Sequence, residues 1–144
     1  MKKIISHRGN LNGPNKKLEN HPQYILQALK KGFEVEIDVW LVNNELFLGH
    51  DKPQYNVNLD FIKKKKLWCH AKNLDSLQYM MKNDVHCFWH ESEKCVITSK
   101  NFLWCYPGVF LENGITVVLN KDKHLKDKKI LGICTDYPVE YNNV

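Results

Sequence analysis

Apolar and polar side chains alternate most clearly over residues 33–41, where every second residue from Phe33 to Leu41 is apolar and the intervening ones include Glu34, Glu36 and Asp38. A period of two is typical of a strand with two different faces. Shorter strand-like segments are Lys3–Ser6, Leu67–Lys72, Val85–His90, Cys95–Thr98, Phe102–Cys105, Ile115–Leu119 and Ile130–Cys134. The pattern predicts about eight core strands, with residues 45–51 as a hairpin partner or an extended segment.

Helical spacing occurs in only two places, residues 22–31 and residues 74–82. Their apolar residues are Tyr24, Ile25, Ala28 and Leu29 in the first and Leu77, Tyr79, Met80 and Met81 in the second. Strands joined by helices early and by short loops later predict an α/β fold, a TIM-type (β/α)8 barrel. A complete barrel needs about 250 residues, whereas this chain has 144. We therefore expect a reduced barrel, with several outer helices shortened or missing, in one domain over residues 1–144.

Composition narrows the function classes only a little. With 43% hydrophobic and 26% charged residues the chain has the balance of a globular protein, and its net charge of +5 suits an enzyme with an anionic substrate. The lysines are scattered or form short runs, which does not indicate a nucleic-acid interface. Five cysteines without a CxxC pair predict buried free thiols. Without a long apolar segment, we expect no stable membrane insertion and a cytoplasmic protein.

The acidic face of the strand over residues 33–41 is unusual. Glu36 and Asp38 are two residues apart, so both carboxylates point to one face of the strand. Two ionised groups inside a barrel repel each other, and a divalent cation between them removes that cost. The alternative is the solvent-facing side of an edge strand.

The neighbouring polar residues favour the cation. His7 and Arg8 follow the first strand, and His50 and Asp51 follow the segment after the acidic strand. In a parallel barrel the strand ends converge on one rim. Two histidines supply an acid and a base near neutral pH, and the planar guanidinium of Arg8 suits phosphate oxygens.

These motifs resemble the signature of the glycerophosphodiester phosphodiesterase family. They are His7-Arg8-Gly9, Glu19-Asn20, Glu36-Ile37-Asp38-Val39 and Gly49-His50-Asp51, with Thr135-Asp136-Tyr137-Pro138 resembling the end of the family's last strand. The resemblance implies a (β/α)8 barrel, a divalent metal and cleavage of a phosphodiester, with His7 and His50 sharing general acid and base catalysis. It also implies that Arg8 and Lys72 bind the phosphate, and it gives Glu19 a supporting role.

The sequence departs from the family at one position. The family usually has Glu-x-Lys on the next strand, with the glutamate on the metal, whereas this chain has His70-Ala71-Lys72. His70 as a neutral imidazole ligand beside Glu36 and Asp38 would favour Mn²⁺ or Zn²⁺ over Ca²⁺. The alternative is a histidine hydrogen-bonded inside the barrel. Mg²⁺, Ca²⁺ and Mn²⁺ are the main candidate ions, and Zn²⁺ is a further one.

The resulting hypothesis is a hydrolase of glycerophosphodiesters or related small-molecule phosphodiesters. A phospholipase C- or D-like enzyme acting on lipid headgroups and a degenerate barrel that binds an anionic phosphate ligand without turnover are the alternatives. Because a barrel that lacks helices exposes the backs of its strands, self-association into a homo-oligomer is a further hypothesis.

Overall fold

A computed structural model describes residues 2–122 and 124–142. Its strands are β1 (Lys3–His7), β2 (Glu34–Val42), β3 (Glu45–Leu48), β4 (Tyr55–Val57), β5 (Leu67–Ala71), β6 (Cys87–Phe88), β7 (Cys95–Ile97), β8 (Leu103–Cys105), β9 (Gly114–Val118) and β10 (Gly132–Thr135). The α-helices of these residues are α1 (Pro22–Lys30), α2 (Leu59–Ile62) and α3 (Leu74–Lys82), and short 3-10 helices span Leu125–Asp127 and Pro138–Tyr141.

All ten strands belong to one curled, mixed sheet. Its main path runs in the order β4-β3-β2-β1-β10-β9-β8-β7, and β5 adds to β2 and carries β6. The pairs among β1, β2, β5 and β6 and among β8, β9, β10 and β1 are parallel, whereas β2–β3, β3–β4 and β7–β8 are antiparallel. The sheet therefore curls into a half-barrel with an antiparallel hairpin at each side.

The predicted (β/α)8 barrel of the TIM type is wrong. Eight strand–helix units are not formed, because the described residues contain three short α-helices and the sheet is mixed. The segments 89–94, 106–113 and 119–131 join later strands, and their described residues, which leave out residue 123, contain no α-helix. Chain length is the physical reason, since the connections between the parallel strands β8, β9 and β10 cross back without the length that a crossover helix needs, and β7 and β8 form an antiparallel hairpin.

The strand predictions themselves are close to the structure. The strand predicted over Val85–His90 is reduced to β6, and β4 and α2 were not predicted from the pattern. The hairpin alternative for residues 45–51 is confirmed by β3, which pairs with β2 through a turn at Asn43 and Asn44. Both asparagines have positive φ, 51° and 63°, as a tight hairpin turn requires.

Three apolar clusters hold the sheet, and the smallest packs Val118 of β9 and Ile133 of β10 against Leu125, Ile130 and Tyr141. The outward side chains of β2 and β5 pack beneath the helices in the largest cluster, with Ile25, Ala28, Val35, Ile37 and Met80 fully buried. The inner face of the curl is filled by Ile5, Trp68, Phe88, Trp104, Ile115 and Cys134. No helix within residues 2–122 and 124–142 is long and apolar enough to cross a membrane.

Candidate active site

The ends of the parallel strands surround a cavity of about 460 Å³. Six residues predicted from the sequence line it, namely His7, Arg8, Glu36, His50, His70 and Lys72. The other two, Asp38 and Glu19, lie directly behind it and contact Arg8. The structure thus brings all eight predicted site residues together, although they come from five separate segments of the chain.

Strand alternation explains why these side chains face inward. In β2, Val35, Ile37 and Val39 point to the helices, so Glu36 and Asp38 point into the curl. Both carboxyl groups are almost completely buried, with Glu36 3% and Asp38 0% exposed. A prediction that they lie on the solvent-facing side of an edge strand is therefore excluded.

Polar contacts offset the cost of burying the Asp38 carboxylate. Asn20 donates a hydrogen bond from Nδ2 to Oδ2 of Asp38 at 2.8 Å and accepts one from the Asp38 backbone N at 2.9 Å. Nε of Arg8 lies 3.2 Å from Oδ2, and Nζ of Lys72 lies 3.8 Å from Oδ1. Burial alone would raise the pKa of Asp38, but neighbouring His70, Arg8 and Lys72 lower it well below the ordinary value. Asp38 is therefore a carboxylate held in place.

Glu36 is in the opposite situation. Its Oε2 lies 4.0 Å from Nε2 of His7, its Oε1 lies 3.9 Å from Nδ1 of His70, and Oε2 has no hydrogen-bond partner. Burial and the negative charge of Asp38 raise the pKa of Glu36. A buried carboxylate without partners is costly unless a cation accompanies it.

His70 faces both carboxylates with one ring nitrogen. Its Nδ1 is 3.2 Å from Oδ1 of Asp38, which has no hydrogen-bond partner, while its Nε2 is 2.8 Å from the carbonyl oxygen of His90. Because a carbonyl only accepts, Nε2 carries a proton, and Nδ1 is the nitrogen that would offer its lone pair to a metal ion beside the carboxylates. Metal-ligating histidines are oriented in this way.

Glu36, Asp38 and His70 can therefore hold a divalent cation. One ligand atom from each lies within 4.8 Å of the others. The unpartnered oxygens of Glu36 and Asp38 and the fixed tautomer of His70 are what such an ion would satisfy. A mixed oxygen and nitrogen donor set suits Mn²⁺ or Zn²⁺ better than Ca²⁺.

His7 is oriented by a residue that the sequence analysis did not place in the site. Nδ1 of His7 is 2.8 Å from Oδ1 of Asp136, which directly follows β10 and also accepts a hydrogen bond from Nδ2 of Asn10 at 2.8 Å. Burial acts to lower the pKa of His7, but the hydrogen bond to Asp136 and the charge of Glu36 outweigh it and the pKa is raised. An acidic residue directly after the last strand was the signal for Asp136.

Arg8 is held by the loop after β1. Its φ is 56°, its backbone N donates to the carbonyl of Glu36 at 3.0 Å, and its guanidinium donates to Oε2 of Glu19 at 3.1 Å. Oε1 of Glu19 accepts from Asn10 at 3.0 Å. Asn10 and Asn20 therefore fix the two carboxylates that hold Arg8, a role that the sequence did not reveal. The N-cap of α1 is His21, whose Nδ1 accepts from the backbone N of Gln23.

His50 lies at the open side of the cavity and is 41% exposed at its side chain. The backbone N of the preceding Gly49 donates to the carbonyl of Asp38, and Trp40 donates from its indole to the carbonyl of Gly49. A Cβ at Gly49 would run into the carbonyl of Lys52, so only glycine fits this turn. His50 pairs with the exposed Asp51 at 2.7 Å.

The opposite wall of the cavity is apolar. It consists of Phe88, Trp104, Tyr106, Pro107, Val117 and Leu119, with His90 and Glu91 at its edge. The ring of His70 stacks on Phe88 at 5.1 Å, and that of His90 stacks on Tyr106 at 5.9 Å. The cavity thus has aromatic side chains, including Trp104 and Tyr106, beside its charged ones.

Comparison with known proteins adds no identification, because no protein-family model, curated protein or solved structure matches the chain. The resemblance to the glycerophosphodiester phosphodiesterases stays a prediction based on the motif residues.

Proposed function

We propose that this protein is a metal-dependent phosphodiesterase that hydrolyses glycerophosphodiesters or related small phosphodiesters. The observation that carries the proposal is the meeting of Glu36, Asp38 and His70 with His7 and Arg8 in one cavity, with carboxylate oxygens that lack partners. Acid and base groups, a cation site and phosphate-binding cations are the parts that phosphoryl chemistry needs.

Each residue has a role in this reaction. Arg8 and Lys72 bind the nonbridging phosphoryl oxygens, and both are fixed by Asp38. His7, oriented by Asp136, and His50, at the open side, divide the proton transfers. One removes a proton from the nucleophile, which is water or the neighbouring hydroxyl of a glycerol moiety, and the other protonates the leaving alcohol. Where the hydroxyl attacks, water then opens the cyclic phosphate. A cation at Glu36, Asp38 and His70 supplies charge stabilisation at the phosphoryl group.

The apolar wall favours a second candidate substrate within the same chemistry. Tyr106 and Leu119 are 48% and 40% exposed and lie across the cavity from the charged side chains. A phosphodiester with an apolar substituent, such as a lysophospholipid, would place its charge on one side and its chain on the other. This is the phospholipase-like alternative.

A turnover assay tests both candidates. The protein, stripped with EDTA, is given Mn²⁺, Zn²⁺, Mg²⁺ or Ca²⁺ and incubated with bis(p-nitrophenyl) phosphate, glycerophosphocholine or lysophosphatidylcholine. We expect metal-dependent hydrolysis that His7→Ala abolishes. No turnover with any ion, or full turnover by His7→Ala, contradicts the proposal. Metal-dependent binding without turnover would instead support the ligand-binding alternative.

We also propose a cytoplasmic location and self-association. The five cysteines are free thiols, as in proteins of reducing compartments. Large apolar side chains at the outer surface, such as Leu74 and Ile97, are 65% and 68% exposed. Size-exclusion chromatography with light scattering checks the assembly, and a monomeric mass contradicts it.

A further inference from the structure

Two of the five cysteines are neighbours across the antiparallel hairpin. Cys95 on β7 and Cys105 on β8 are direct register partners, and their sulfur atoms are 3.3 Å apart. Cys95 is partly exposed, whereas Cys105 is completely buried. The sequence predicts buried free thiols and does not reveal this contact, because ten residues separate the pair along the chain.

Their position in the ladder permits a covalent bond. The backbone N of Tyr106 donates to the carbonyl of Lys94, and the backbone N of Thr98 donates to that of Phe102. These hydrogen bonds place the cysteine pair at a non-hydrogen-bonded site, where Cα atoms are about 4.5 Å apart. Disulfides span Cα distances of about 4.4–6.8 Å, so the sulfur atoms need to approach by only about 1 Å.

We propose that Cys95 and Cys105 form a reversible disulfide between β7 and β8. The oxidant is a low-molecular-weight disulfide of the glutathione class. The thiolate of the accessible Cys95 attacks it, which forms a mixed disulfide and releases one glutathione thiolate. The sulfur of Cys105 then attacks Sγ of Cys95 and expels the second glutathione thiolate, and the protons of the two cysteines pass to the two glutathione thiolates. The protein pair is oxidised, and one glutathione disulfide is reduced to two thiols.

The position within the ladder also makes the bond easy to reduce. The Cα separation typical of a non-hydrogen-bonded pair, about 4.5 Å, lies at the short end of the disulfide range, and strained disulfides have more oxidising potentials than structural ones. Burial and the adjacent Cys95 raise the pKa of Cys105 to about 12. Cys105 is therefore a resolving thiol, and the accessible Cys95 is the first to react.

The bond would act next to the cavity. Trp104 and Tyr106, which flank Cys105, line the cavity wall. The segment 89–94 leads from β6 to Cys95 and contains His90, whose carbonyl holds the tautomer of His70. Oxidation would therefore link the end of the segment that contains His90 to the strand that carries Trp104 and Tyr106. The disulfide does not depend on the proposed activity, since its test measures thiols.

Cys69 and Cys87 provide an internal control. They too are register partners, but on the parallel strands β5 and β6. The sulfur of Cys69 lies 3.7 Å from the carbonyl of Ile62 instead. Pairing of two cysteines across neighbouring strands therefore does not by itself bring their sulfur atoms together. Cys95 and Cys105 differ from Cys69 and Cys87 because their sulfur atoms are in contact.

Peptide mapping gives a direct test. The folded full-length protein is equilibrated with a series of ratios of reduced to oxidised glutathione, trapped with N-ethylmaleimide and digested with trypsin. Because lysines precede and separate all five cysteines, each lies on its own tryptic peptide. We expect a linked pair of peptides 95–100 and 101–121, the loss of two of the five free thiols, and their recovery with dithiothreitol.

Two variants complete the test. Cys95→Ser should abolish the linked peptide, whereas Cys69→Ser should form it as the unchanged protein does. Circular dichroism at each ratio verifies that the protein stays folded. If peptide 101–121 remains fully alkylated at every ratio, if a glutathione adduct on Cys95 persists without resolution, or if Cys69 and Cys87 link equally well, the proposal is wrong.

Discussion

Two groups of strands face each other across the cavity, and they are built differently. The first group is β1, β2 and β5, and the second is β8 and β9. The first group is backed by α1 and α3 and carries His7, Glu36, Asp38 and His70 on its inner face. The second group has no α-helix behind it among the described residues and carries Trp104 and Val117. Charged side chains lie on the inner face where α-helices pack behind the strands, and apolar ones lie where the outer face is covered only by the small cluster around Leu125.

Packing explains this division. A strand whose outward side chains are buried by helices is already fixed, so its inner face can hold buried polar groups that add strain. A strand without α-helices behind it has less packing on its outer face and depends more on its inner face. We therefore expect substitutions in the second group to reduce stability, and substitutions in the first group to change the chemistry of the cavity.

The largest expected effect is the loss of Trp104. Its side chain is 3% exposed and packs against Phe88 and Trp68, at 4.5 and 5.7 Å between ring centroids. Trp104→Ala should lower the free energy of unfolding by about 3–5 kcal/mol, because the cavity cannot collapse. Urea denaturation followed by circular dichroism measures this change in the free energy of unfolding.

The control is Tyr106→Ala at the next inward position, where the side chain is 48% exposed. Its loss should be below about 1 kcal/mol. Equal losses for the two variants would show that the second group does not depend on its inner layer.

The two carboxylates of β2 should respond in opposite directions when they are neutralised. Asp38→Asn should lower the unfolding free energy of the EDTA-treated protein by about 3 kcal/mol, because Arg8 and Lys72 lose their buried partner. Glu36→Gln should raise it by about 1 kcal/mol, since Oε2 of Glu36 has no partner. Thermal and urea unfolding without metal give both values.

Added Mn²⁺ should stabilise the unchanged protein and fail to stabilise Glu36→Gln. If Glu36→Gln instead lowered the unfolding free energy without metal, burial of the Glu36 carboxylate would not be costly. The main support for a cation site would then be lost.

These expectations rest on contacts that the sequence predicted unevenly. The alternation over residues 33–41 was enough to place Glu36 and Asp38 together on one inner face. The pattern could not show that Asn20 holds Asp38 or that Asp136 holds His7, because these partners are 18 and 129 residues apart in the chain. Periodicity reports which way a side chain points, whereas long-range pairing depends on how the sheet closes.

The barrel prediction failed for a related reason. The pattern gives about eight strand-like segments, the number in a (β/α)8 barrel, and the count does not show whether a short connection crosses over the sheet or turns back. In residues 89–105 the chain turns back as the hairpin of β7 and β8. That difference in direction also created the contact between Cys95 and Cys105.

Asp136→Asn tests whether the second part of the chain contributes to chemistry through His7. The variant keeps the shape of the side chain and removes the charge 2.8 Å from Nδ1 of His7. We expect kcat of bis(p-nitrophenyl) phosphate hydrolysis to fall on the order of 10²-fold with KM and metal affinity unchanged. The matched control is Asp51→Asn, which removes the exposed carboxylate that pairs with His50. This substitution should lower kcat about tenfold or less. A larger fall in kcat for Asp51→Asn than for Asp136→Asn would mean that the His50–Asp51 pair contributes more to catalysis than the His7–Asp136 pair.

The smallest expected effect lies at His86, where the two parts of the sheet meet. His86 directly precedes β6, packs 4.3 Å from Trp68 and bonds to the hydroxyl of Thr98 at 3.0 Å, at the edge of the β7–β8 hairpin. Burial lowers its pKa from 6.5 to about 4, so the folded protein keeps the ring neutral. As the pH falls from 6.5 toward 4, the unfolded chain gains a proton that the folded one does not, and stability falls.

The change should be on the order of 1 kcal/mol because the ring is only partly buried. His86→Gln keeps a partner for Thr98 but cannot titrate, so the difference in unfolding free energy between pH 7 and pH 4.5 should shrink by that amount, measured in EDTA. An unchanged acid dependence would mean that the junction is open enough for His86 to be protonated without cost. The hairpin would then be attached to β6 less firmly than the bond from the backbone N of Ser99 to the carbonyl of Cys87, at 2.8 Å, indicates.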